Sequence, residues 1–415
     1  MPGKRLFINI KSLYQVRPVG FTLARGKDMS VLPSIENAFL LVEDGKIKSY
    51  GKMEDCPQVA DAIHHDCTGK IILPGFVDSH THLVFAEPRE QEFVLKIKGA
   101  SYQEIAAAGG GILNSAKKLQ ALTEDELFFR SLPRARQVLQ SGTTTIEIKS
   151  GYGLTLKDEI KMLRVAKRIG KETPLTVKTT FLGAHAFPKE ISREAYIDSI
   201  KQEMIPQIAA EKLADYIDVF CEEGFFSVDE TIAICEVGKQ YGLKPRLHAN
   251  QLHNSGGVQA GVKVGAISVD HLENIGDVEI EALRTSQTIP TLLPLAAFFL
   301  NLPFPPARKL IEAGLPIAIA TDFNPGSSPS GNMPFMLSLA CVKMKMTPEE
   351  VLNATTINTA AALHLADKVG SITVGKKADL ILTKEVSSLA FLPYAINTNW
   401  IDEIFVSGEK LQKQD

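Results

Sequence analysis

The sequence predicts an α/β protein, in which a TIM (β/α)8 barrel is joined to a small β-sandwich domain built from both chain termini. Two observations lead to this prediction. Strand-like and helical segments alternate from residue 71 onward, and both ends of the chain have a different texture, with short strands and turns. Alternation of this kind is typical of βα units around a parallel sheet, and eight units close a barrel.

The eight candidate barrel strands are short apolar or β-branched runs: Ile71–Val77, Thr143–Ile148, Leu175–Leu182, Tyr216–Cys221, Pro245–His248, Ala266–Asp270, Thr288–Leu293 and Pro316–Thr321. The helices predicted between them include Glu124–Gln140, Lys157–Ile169, Arg193–Ile208, Val228–Tyr241, Val258–Val264 and Pro306–Ala313. Two more helices, near Met333–Lys343 and Pro348–Leu363, follow the last strand. We therefore predict that residues 71–363 form the barrel domain.

The two ends of the chain resemble each other more than they resemble the middle. Ala38–Val42 is strand-like, and the turn Glu43-Asp44-Gly45-Lys46 joins it to a further strand, so a β-hairpin is expected. Strand and turn patterns return in Gly370–Leu382. We predict one composite β domain, made of residues 1–70 and 364–415, with the barrel inserted between its two parts.

The balance of charge gives no electrostatic reason to expect nucleic acid or an anionic membrane as a partner. The chain has 45 basic and 48 acidic residues, for a formal net charge of -3. No apolar run reaches the roughly 18 residues that a membrane span needs, and the N-terminus lacks an apolar secretion signal. The five cysteines form no Cys-x-x-Cys pair, which favours a reducing compartment. We expect a cytoplasmic protein with a small-molecule substrate.

The first chemical signal lies at the end of the first candidate barrel strand. Active residues of such barrels gather at the carboxyl ends of the strands, and this strand leads into His80-Thr81-His82. Residues two apart in an extended segment face the same side, so His80 and His82 can hold one metal ion. A His-x-His pair is a weak signal in a chain with nine histidines, but its place after an apolar strand strengthens it.

Two further strand ends carry candidate metal ligands. His248 closes the fifth candidate strand, and Asp322 follows the eighth. A lone aspartate after a strand is often a turn or cap residue, but four such side chains at strand ends of one barrel are a much rarer coincidence. Three imidazoles and one carboxylate, with an open position for water, suit Zn²⁺ and also Fe²⁺. The sequence therefore predicts one divalent ion, Zn or Fe.

Asp322 and His271 are the candidate catalytic residues for proton transfer. A bound metal lowers the pKa of water and polarises the scissile carbonyl, and Asp322 can take the proton of that water. His271 ends the sixth candidate strand. It can be a metal ligand, a proton shuttle or a core histidine, and we favour the shuttle.

The motifs around these residues resemble those of the amidohydrolase superfamily. Val77-Asp78-Ser79-His80-Thr81-His82 is similar to its first-strand motif, and Pro74-Gly75 and Gly375–Leu380 are also typical of it. Within the superfamily, the chain resembles the imidazolonepropionase family over essentially its whole length. The stretches that carry this match are His80–Phe85 through Arg89-Glu90, Gly109–Ile112, Lys149–Leu154, Phe181–His185 and Thr321–Ser327.

The resemblance implies hydrolysis of the cyclic amide of 4-imidazolone-5-propanoate to N-formimidoyl-L-glutamate, a step of histidine degradation, by a metal-activated water that attacks the ring carbonyl. The metal ligands it implies are His80, His82, His248 and Asp322. The positions it matches to substrate or product contacts are Arg89, Tyr152, His185, Gln251, Asn324, Gly326 and Ser327.

The chemistry of those positions suits a substrate that carries a propanoate. The guanidinium of Arg89 can hold a carboxylate through two parallel hydrogen bonds, and Tyr152 and His185 can complete that pocket. The loop 324–327 offers an amide, a hydroxyl and backbone N–H groups that can bind the ring. Gln251 stands where members of the family carry Glu or Gln, and a glutamine cannot act as a base.

Two other functions are compatible with the sequence. A related amidohydrolase or deaminase that acts on another nitrogen heterocycle would use nearly the same scaffold and metal ligands, but Arg89 and the loop 324–327 favour an acidic substrate. A catalytically inactive scaffold is disfavoured because the full set of metal ligands is present. We expect a homodimer, since closed symmetric dimers are the commonest oligomers.

Overall fold

The computed structural model describes residues 3–99 and 110–412 and contains two sheets of eight strands each. The strands are β1 (Arg5–Tyr14), β2 (Ser34–Glu43), β3 (Lys46–Lys52), β4 (Ile63–Asp66), β5 (Lys70–Pro74), β6 (Phe76–Asp78), β7 (Thr143–Lys149), β8 (Thr176–Ala184), β9 (Tyr216–Cys221), β10 (Lys244–Ala249), β11 (Ser268–His271), β12 (Ile289–Leu292), β13 (Ala318–Ile319), β14 (Leu380–Glu385), β15 (Ile401–Val406) and β16 (Glu409–Lys410).

The helices are α1 (Glu90–Ile97), α2 (Ile112–Gln120), α3 (Glu124–Gln140), α4 (Leu156–Glu172), α5 (Arg193–Ser199), α6 (Ile205–Ala210), α7 (Val228–Gln240), α8 (Gly257–Val264), α9 (Asp277–Arg284), α10 (Pro294–Leu300), α11 (Ala307–Glu312), α12 (Met333–Met344), α13 (Pro348–Thr355), α14 (Ile357–Ala361) and α15 (Phe391–Tyr394). Within residues 3–99 and 110–412, no helix has both the length and the apolar character that a bilayer crossing requires.

The second sheet is the predicted barrel, and its strands β6 to β13 lie side by side in chain order with every neighbouring pair parallel. The barrel closes just beyond β6 and β13. The backbone N–H of Asp322 donates to the carbonyl of His80 at 3.0 Å, and that of His82 donates to the carbonyl of Phe323 at 2.9 Å. The closing seam therefore runs through residues that were predicted to bind metal.

Several barrel helices begin at residues that cap them. Thr123, Ser227 and Thr347 each accept a hydrogen bond from the backbone N–H three residues further on, where a glutamate bonds back to the capping residue. Such caps stabilise a helix by about 1 kcal/mol each. The helix predicted over Glu124–Gln140 is confirmed at both ends, and its start is set by the capping box at Thr123.

The other sheet contains the strands of both termini, in the order β16-β15-β14-β5-β1-β2-β3 with β4 paired to β1. The predicted hairpin is confirmed, and its turn places Asp44 and Gly45 at φ 50° and 74°. Phe7 and Phe405 lie three strands apart in this sheet, yet their ring centroids are 5.0 Å apart. Because neighbouring strands are spaced by about 4.8 Å, the sheet must fold over on itself, which encloses a sandwich-like core.

The first barrel strand differs from the prediction, because the run Ile71–Val77 forms parts of two strands. β5 pairs with β1 and β14 in the terminal sheet, and only β6 joins the barrel. The chain changes sheets at Gly75, where a Cβ atom would overlap the side chain of Thr144. An apolar run has the same pattern in either sheet, so the sequence does not show where it divides. The domain limits stay predictions, and β5 extends across the first of them.

Other differences are local. The helix predicted over Pro348–Leu363 is divided into α13 and α14 at Thr356, whose φ of -127° and ψ of -89° are not helical. The helix predicted over Arg193–Ile208 is interrupted by a π-helical turn, Ile200–Met204. Helices α1, α2, α9, α10 and α15 were not predicted.

We expect Gly75→Ala to lower the free energy of unfolding by about 1–3 kcal/mol, because the added methyl group has to displace the buried Thr144 at the crossing between the sheets. Urea unfolding followed by circular dichroism measures this. Gly3→Ala is the matched control, since no atom lies within 4 Å of the added Cβ there. Equal stability of the two variants would contradict the assignment of Gly75 as the crossing point.

Candidate metal centre and active site

The four predicted metal ligands meet at one point inside the barrel mouth. Nε2 of His248 lies 3.1 Å from Nε2 of His80 and 3.3 Å from Nε2 of His82. Oδ1 of Asp322 lies 3.6 Å from Nε2 of both His80 and His82. All four side chains are buried. The residues that were predicted from three separate strand ends therefore form one cluster.

The spacing of this cluster fits a metal ion. Ligands that lie 2.0–2.1 Å from a tetrahedral Zn²⁺ are about 3.3 Å from one another, which matches the observed separations. Burial and nearby positive charge hold the pKa of His80 and His82 well below the usual value. Both imidazoles are therefore neutral and can offer a nitrogen lone pair, as metal coordination requires.

A carboxylate stands behind two of the three imidazoles. Nδ1 of His80 lies 2.6 Å from Oδ2 of Asp270, and Nδ1 of His248 lies 3.0 Å from Oδ2 of Asp218. A carboxylate that accepts the Nδ1 proton keeps Nε2 unprotonated and directed at the metal. Neither aspartate was predicted as a site residue.

Each of these carboxylates is balanced by a buried cation. Arg246 Nη2 donates to Asp270 at 3.1 Å, and Lys149 Nζ lies 2.9 Å from Asp218 and 3.0 Å from Glu147. Burial works against the charged amine, but the carboxylates of Asp218 and Glu147 raise the pKa of Lys149 above its usual value. Lys149 is therefore an ammonium ion that neutralises the network and not a metal ligand.

Asp322 and His271 lie together at the same point. One ligand atom of each of His80, His271 and Asp322 lies within 4.8 Å of the others. Burial raises the pKa of Asp322 to about 7. Burial opposes protonation of His271, but the nearby carboxylates of Glu273 and Asp322 raise its pKa. The structure therefore brings the two predicted catalytic side chains together beside the metal cluster.

Arg89 is held against the loop 324–327. Its backbone N–H donates to the carbonyl of Pro325 at 3.1 Å, and its side chain is only 11% exposed. A Cβ atom on Gly326 would overlap the guanidinium, so only glycine permits this approach. Oε2 of Glu92 lies 3.8 Å from Nη1 of Arg89. The guanidinium is therefore confined before any substrate arrives.

Tyr152 and His185 lie beside the metal ligands. The ring of His185 stacks on that of His82 with centroids 5.2 Å apart, and the ring of Tyr152 lies 5.4 Å from that of His185. Nδ1 of His185 is 2.9 Å from the carbonyl of Gly151. Burial, followed by the charges of His248 and Arg89, lowers the pKa of His185 to about 3.

The loop 324–327 is built around the side chain of Asn324. Oδ1 accepts the backbone N–H groups of Gly326 and Ser327 at 2.8 and 2.7 Å, and Nδ2 donates to the carbonyl of Asp322 and the hydroxyl of Ser327. The Asn324 amide therefore holds the loop, and the backbone N–H groups of Gly326 and Ser327, which were expected to bind the ring, donate to Asn324 instead.

Gln251 is buried three residues after His248, and its backbone carbonyl accepts from Nδ2 of Asn274 at 2.8 Å. Its side-chain amide makes no hydrogen bond within the described part of the chain. Gly109 of the predicted glycine run lies outside the described residues.

Comparison with known proteins assigns the chain to a family. Residues 71–411 match the amidohydrolase family. The imidazolonepropionase of Flavobacterium johnsoniae is 52% identical over 407 residues, covering 97% of this chain and 99% of its own. That of Thermoanaerobacter pseudethanolicus is 40% identical over 413 residues, covering 99% and 98%.

The chain belongs to the imidazolonepropionase family. Solved structures of low sequence identity share its fold. Guanine deaminase of Escherichia coli has a TM-score of 0.75 at 16% identity, and covers 99% of both chains. An adenosine deaminase of Xanthomonas campestris with bound zinc has a TM-score of 0.71 at 16% identity, covering 98% of this chain and 92% of its own. At this identity the likeness concerns the fold alone. Together with the buried His and Asp cluster, family membership makes this a divalent-metal centre.

The imidazolonepropionase site includes charged residues that the sequence reasoning missed. Asp218, Arg246 and Asp270 each lie inside a barrel strand, where a charge is buried on folding. Charged residues are almost never fully buried unless they are paired. A charge inside a predicted barrel strand was therefore an available signal. The partner of each charge is not readable, because it comes from a different strand.

We expect Asp218→Asn and Asp270→Asn each to weaken Zn²⁺ binding by about 10–100-fold, because the imidazole behind the metal loses the acceptor that orients it. Competition with a coloured chelator measures the dissociation constant.

Asp379→Asn is the matched control for both variants. Asp379 is a buried aspartate of the terminal sheet that accepts the backbone N–H of Ser407 at 2.9 Å. Unchanged zinc affinity in both Asp218→Asn and Asp270→Asn would show that these carboxylates do not support the metal centre.

Proposed function

We propose that this chain hydrolyses the cyclic amide of 4-imidazolone-5-propanoate to N-formimidoyl-L-glutamate, in histidine degradation. The observation that carries the proposal is a confined guanidinium, Arg89, held against the loop that follows the metal-cluster residue Asp322. Relatives at 40–52% identity over nearly the whole chain bear the name imidazolonepropionase. A substrate with a cyclic amide and a propanoate chain matches both parts of the site.

We propose that one divalent ion, Zn or Fe, occupies the cluster of His80, His82, His248 and Asp322. When bound, such an ion lowers the pKa of water and polarises a carbonyl group. A single ion is favoured because Lys149, the lysine that could otherwise help to bridge two ions, forms ion pairs with Asp218 and Glu147. Three imidazoles and a carboxylate suit either metal.

The propanoate is assigned to Arg89. A guanidinium at 11% exposure holds a carboxylate with little competition from water, and its two parallel N–H groups match the two carboxylate oxygens. We assign Tyr152 and His185, whose rings lie beside that of His82, to the same substrate, and Gln251, Ser327 and Gly326 to the ring. The propanoate contact then fixes which ring atom faces Asp322.

Proton transfer is assigned to Asp322 and His271. Asp322 accepts a proton from the water that attacks the ring carbonyl carbon. The bond from that carbon to the ring nitrogen breaks, the carbon becomes that of a carboxylate, and the nitrogen takes a proton delivered through His271 or Asp322. Gln251 has no part in this transfer, because an amide cannot act as a base.

We also propose that the protein is a cytoplasmic homodimer. The five cysteines are free in the structure, as suits a reducing compartment. Light scattering of the purified protein tests the dimer, and fractionation of the native cells tests the location.

We expect Asp322→Asn to reduce kcat by at least about 10²–10⁴-fold, since the amide retains an oxygen but cannot accept a proton, and Asp322→Ala to abolish turnover. The assay follows the ultraviolet absorbance of imidazolone propanoate, beside ammonia release from a panel of nucleobases. Asp379→Asn is the control and should keep full activity. Ammonia release without ring opening would replace the proposed activity with that of a deaminase.

Reconstitution of the metal-free enzyme with Zn²⁺ or with anaerobic Fe²⁺ compares the two metals.

We expect Arg89→Ala to raise KM for imidazolone propanoate by about 10–100-fold with a smaller effect on kcat, because a charge-assisted pair with the propanoate is lost. Gly326→Ala should have the same signature although the arginine remains, since the added methyl group displaces the guanidinium. Arg130→Ala is the control, because Arg130 pairs with Glu87 at the surface. An unchanged KM in Arg89→Ala would disprove the propanoate contact.

A further inference from the structure

Glu273 is a buried carboxylate for which the proposed chemistry has no assigned role. Its side chain is 0% exposed, and neither oxygen has a hydrogen-bond partner within the described residues. Other buried glutamates near the site are satisfied. Glu159 accepts the backbone N–H groups of Gly151, Gly153 and Leu154, and Glu222 accepts those of Leu252 and Glu223. A buried acceptor without a donor weakens the fold, so its presence calls for a reason.

The imidazole of His271 faces the carboxylate of Glu273. Nδ1 of His271 lies 3.5 Å from Oε1 of Glu273, and this nitrogen likewise has no hydrogen-bond partner within the described chain. Two buried groups that lack partners thus face each other at slightly more than hydrogen-bond length. Hydrogen bonds of this kind are often long before the substrate binds and shorten in the complex.

The backbone between the two residues is strained in a way that brings them together. His271 and Leu272 have φ of 91° and 70°, in the left-handed region that such residues rarely adopt. The chain therefore reverses directly after β11 and returns Glu273 to the imidazole. Strain of this kind persists where the surrounding structure enforces it, and it concentrates at functional sites.

We propose that Glu273 is a positioning residue that holds the proton on Nδ1 of His271, so that Nε2 is the nitrogen that exchanges a proton with the reacting groups. Two of the predicted metal ligands have the same arrangement. Asp270 and Asp218 lie next to Nδ1 of His80 and His248, whose Nε2 atoms face the metal position. This inference rests on the proposed function in one respect, because that function states where the proton on Nε2 of His271 goes. The tautomer of His271 itself can be measured independently of that function.

The thermal stability of Glu273 variants distinguishes this positioning role from a purely structural role. Removal of a buried charge that lacks partners should leave the melting temperature unchanged or raise it. Glu350 is the matched control, because it is buried far from the metal cluster, accepts the backbone N–H of Thr347 at 2.8 Å and pairs with Arg308.

The kinetic experiment uses zinc-loaded Glu273→Gln, Glu273→Met and Glu350→Met. We expect both Glu273 variants to bind one equivalent of zinc, to melt no lower than the wild type, and to lose about 10–100-fold in kcat with KM within twofold. Glu350→Met should melt lower and keep kcat. In a His271→Gln background, Glu273→Met should cause no further loss. A melting temperature that falls with kcat unchanged, or losses that add in the double variant, would overturn the proposal.

The second readout is the tautomer of His271 in protein with ¹⁵N-labelled histidine, observed by long-range ¹H–¹⁵N correlation of the zinc-loaded enzyme and assigned through His271→Gln. We expect a protonated Nδ1 in the wild type and a shift of the proton to Nε2 in Glu273→Met. A wild type that already carries the proton on Nε2, or an unchanged spectrum in Glu273→Met, would refute the role. If the wild type does not open imidazolone propanoate, the proposed function fails while this measurement still decides the role of Glu273.

Discussion

The centre of this protein depends on three buried imidazoles whose Nε2 atoms stay unprotonated. Burial lowers the pKa of His80 and His82, which favours the neutral form. Neutral imidazoles have two tautomers, and only the one with the proton on Nδ1 presents Nε2 to a metal. The carboxylates behind Nδ1 select that tautomer, and because an isolated buried carboxylate is strongly disfavoured, each needs a cation. Arg246 and Lys149 supply those charges, and therefore the network extends across several strands.

Closure of the barrel involves the same residues as the metal site. The hydrogen bonds that close the barrel join His80 and His82 to the segment that carries Asp322. Asp322 itself has φ of 54°, so its backbone turns out of the strand at the point where its carboxylate joins the cluster. A metal held by these residues therefore also ties the first barrel strand to the last. The fold and the metal support each other, since ligands that lie far apart in the chain meet only when the barrel is closed.

The barrel and the convergence of His80, His82, His248 and Asp322 could be predicted from the sequence, because each rests on a local pattern: a barrel strand followed by a histidine or an aspartate. The remaining features depend on contacts between segments that lie far apart in the sequence. The run around Gly75 divides between two sheets, and only the structure shows that β5 pairs with β14. Asp270 was visible as a charge inside a predicted barrel strand, but its partner His80 lies 190 residues away. The approach of Glu273 depends on a left-handed Leu272, a conformation that no residue pattern indicates.

The metal centre alone cannot select a substrate, because the same fold is found in deaminases at 16% identity. Selection has to come from groups that do not hold the metal. Asn324 uses its whole amide to shape the loop that carries Gly326, and the lack of a side chain at Gly326 leaves room for the Arg89 guanidinium. An arginine confined in this way loses little conformational entropy when it binds a carboxylate. Under the proposed contact with the propanoate, a heterocycle without an acidic chain would not supply a second carboxylate to Arg89 beside that of Glu92 at 3.8 Å, and this loss would favour the propanoate-bearing ring.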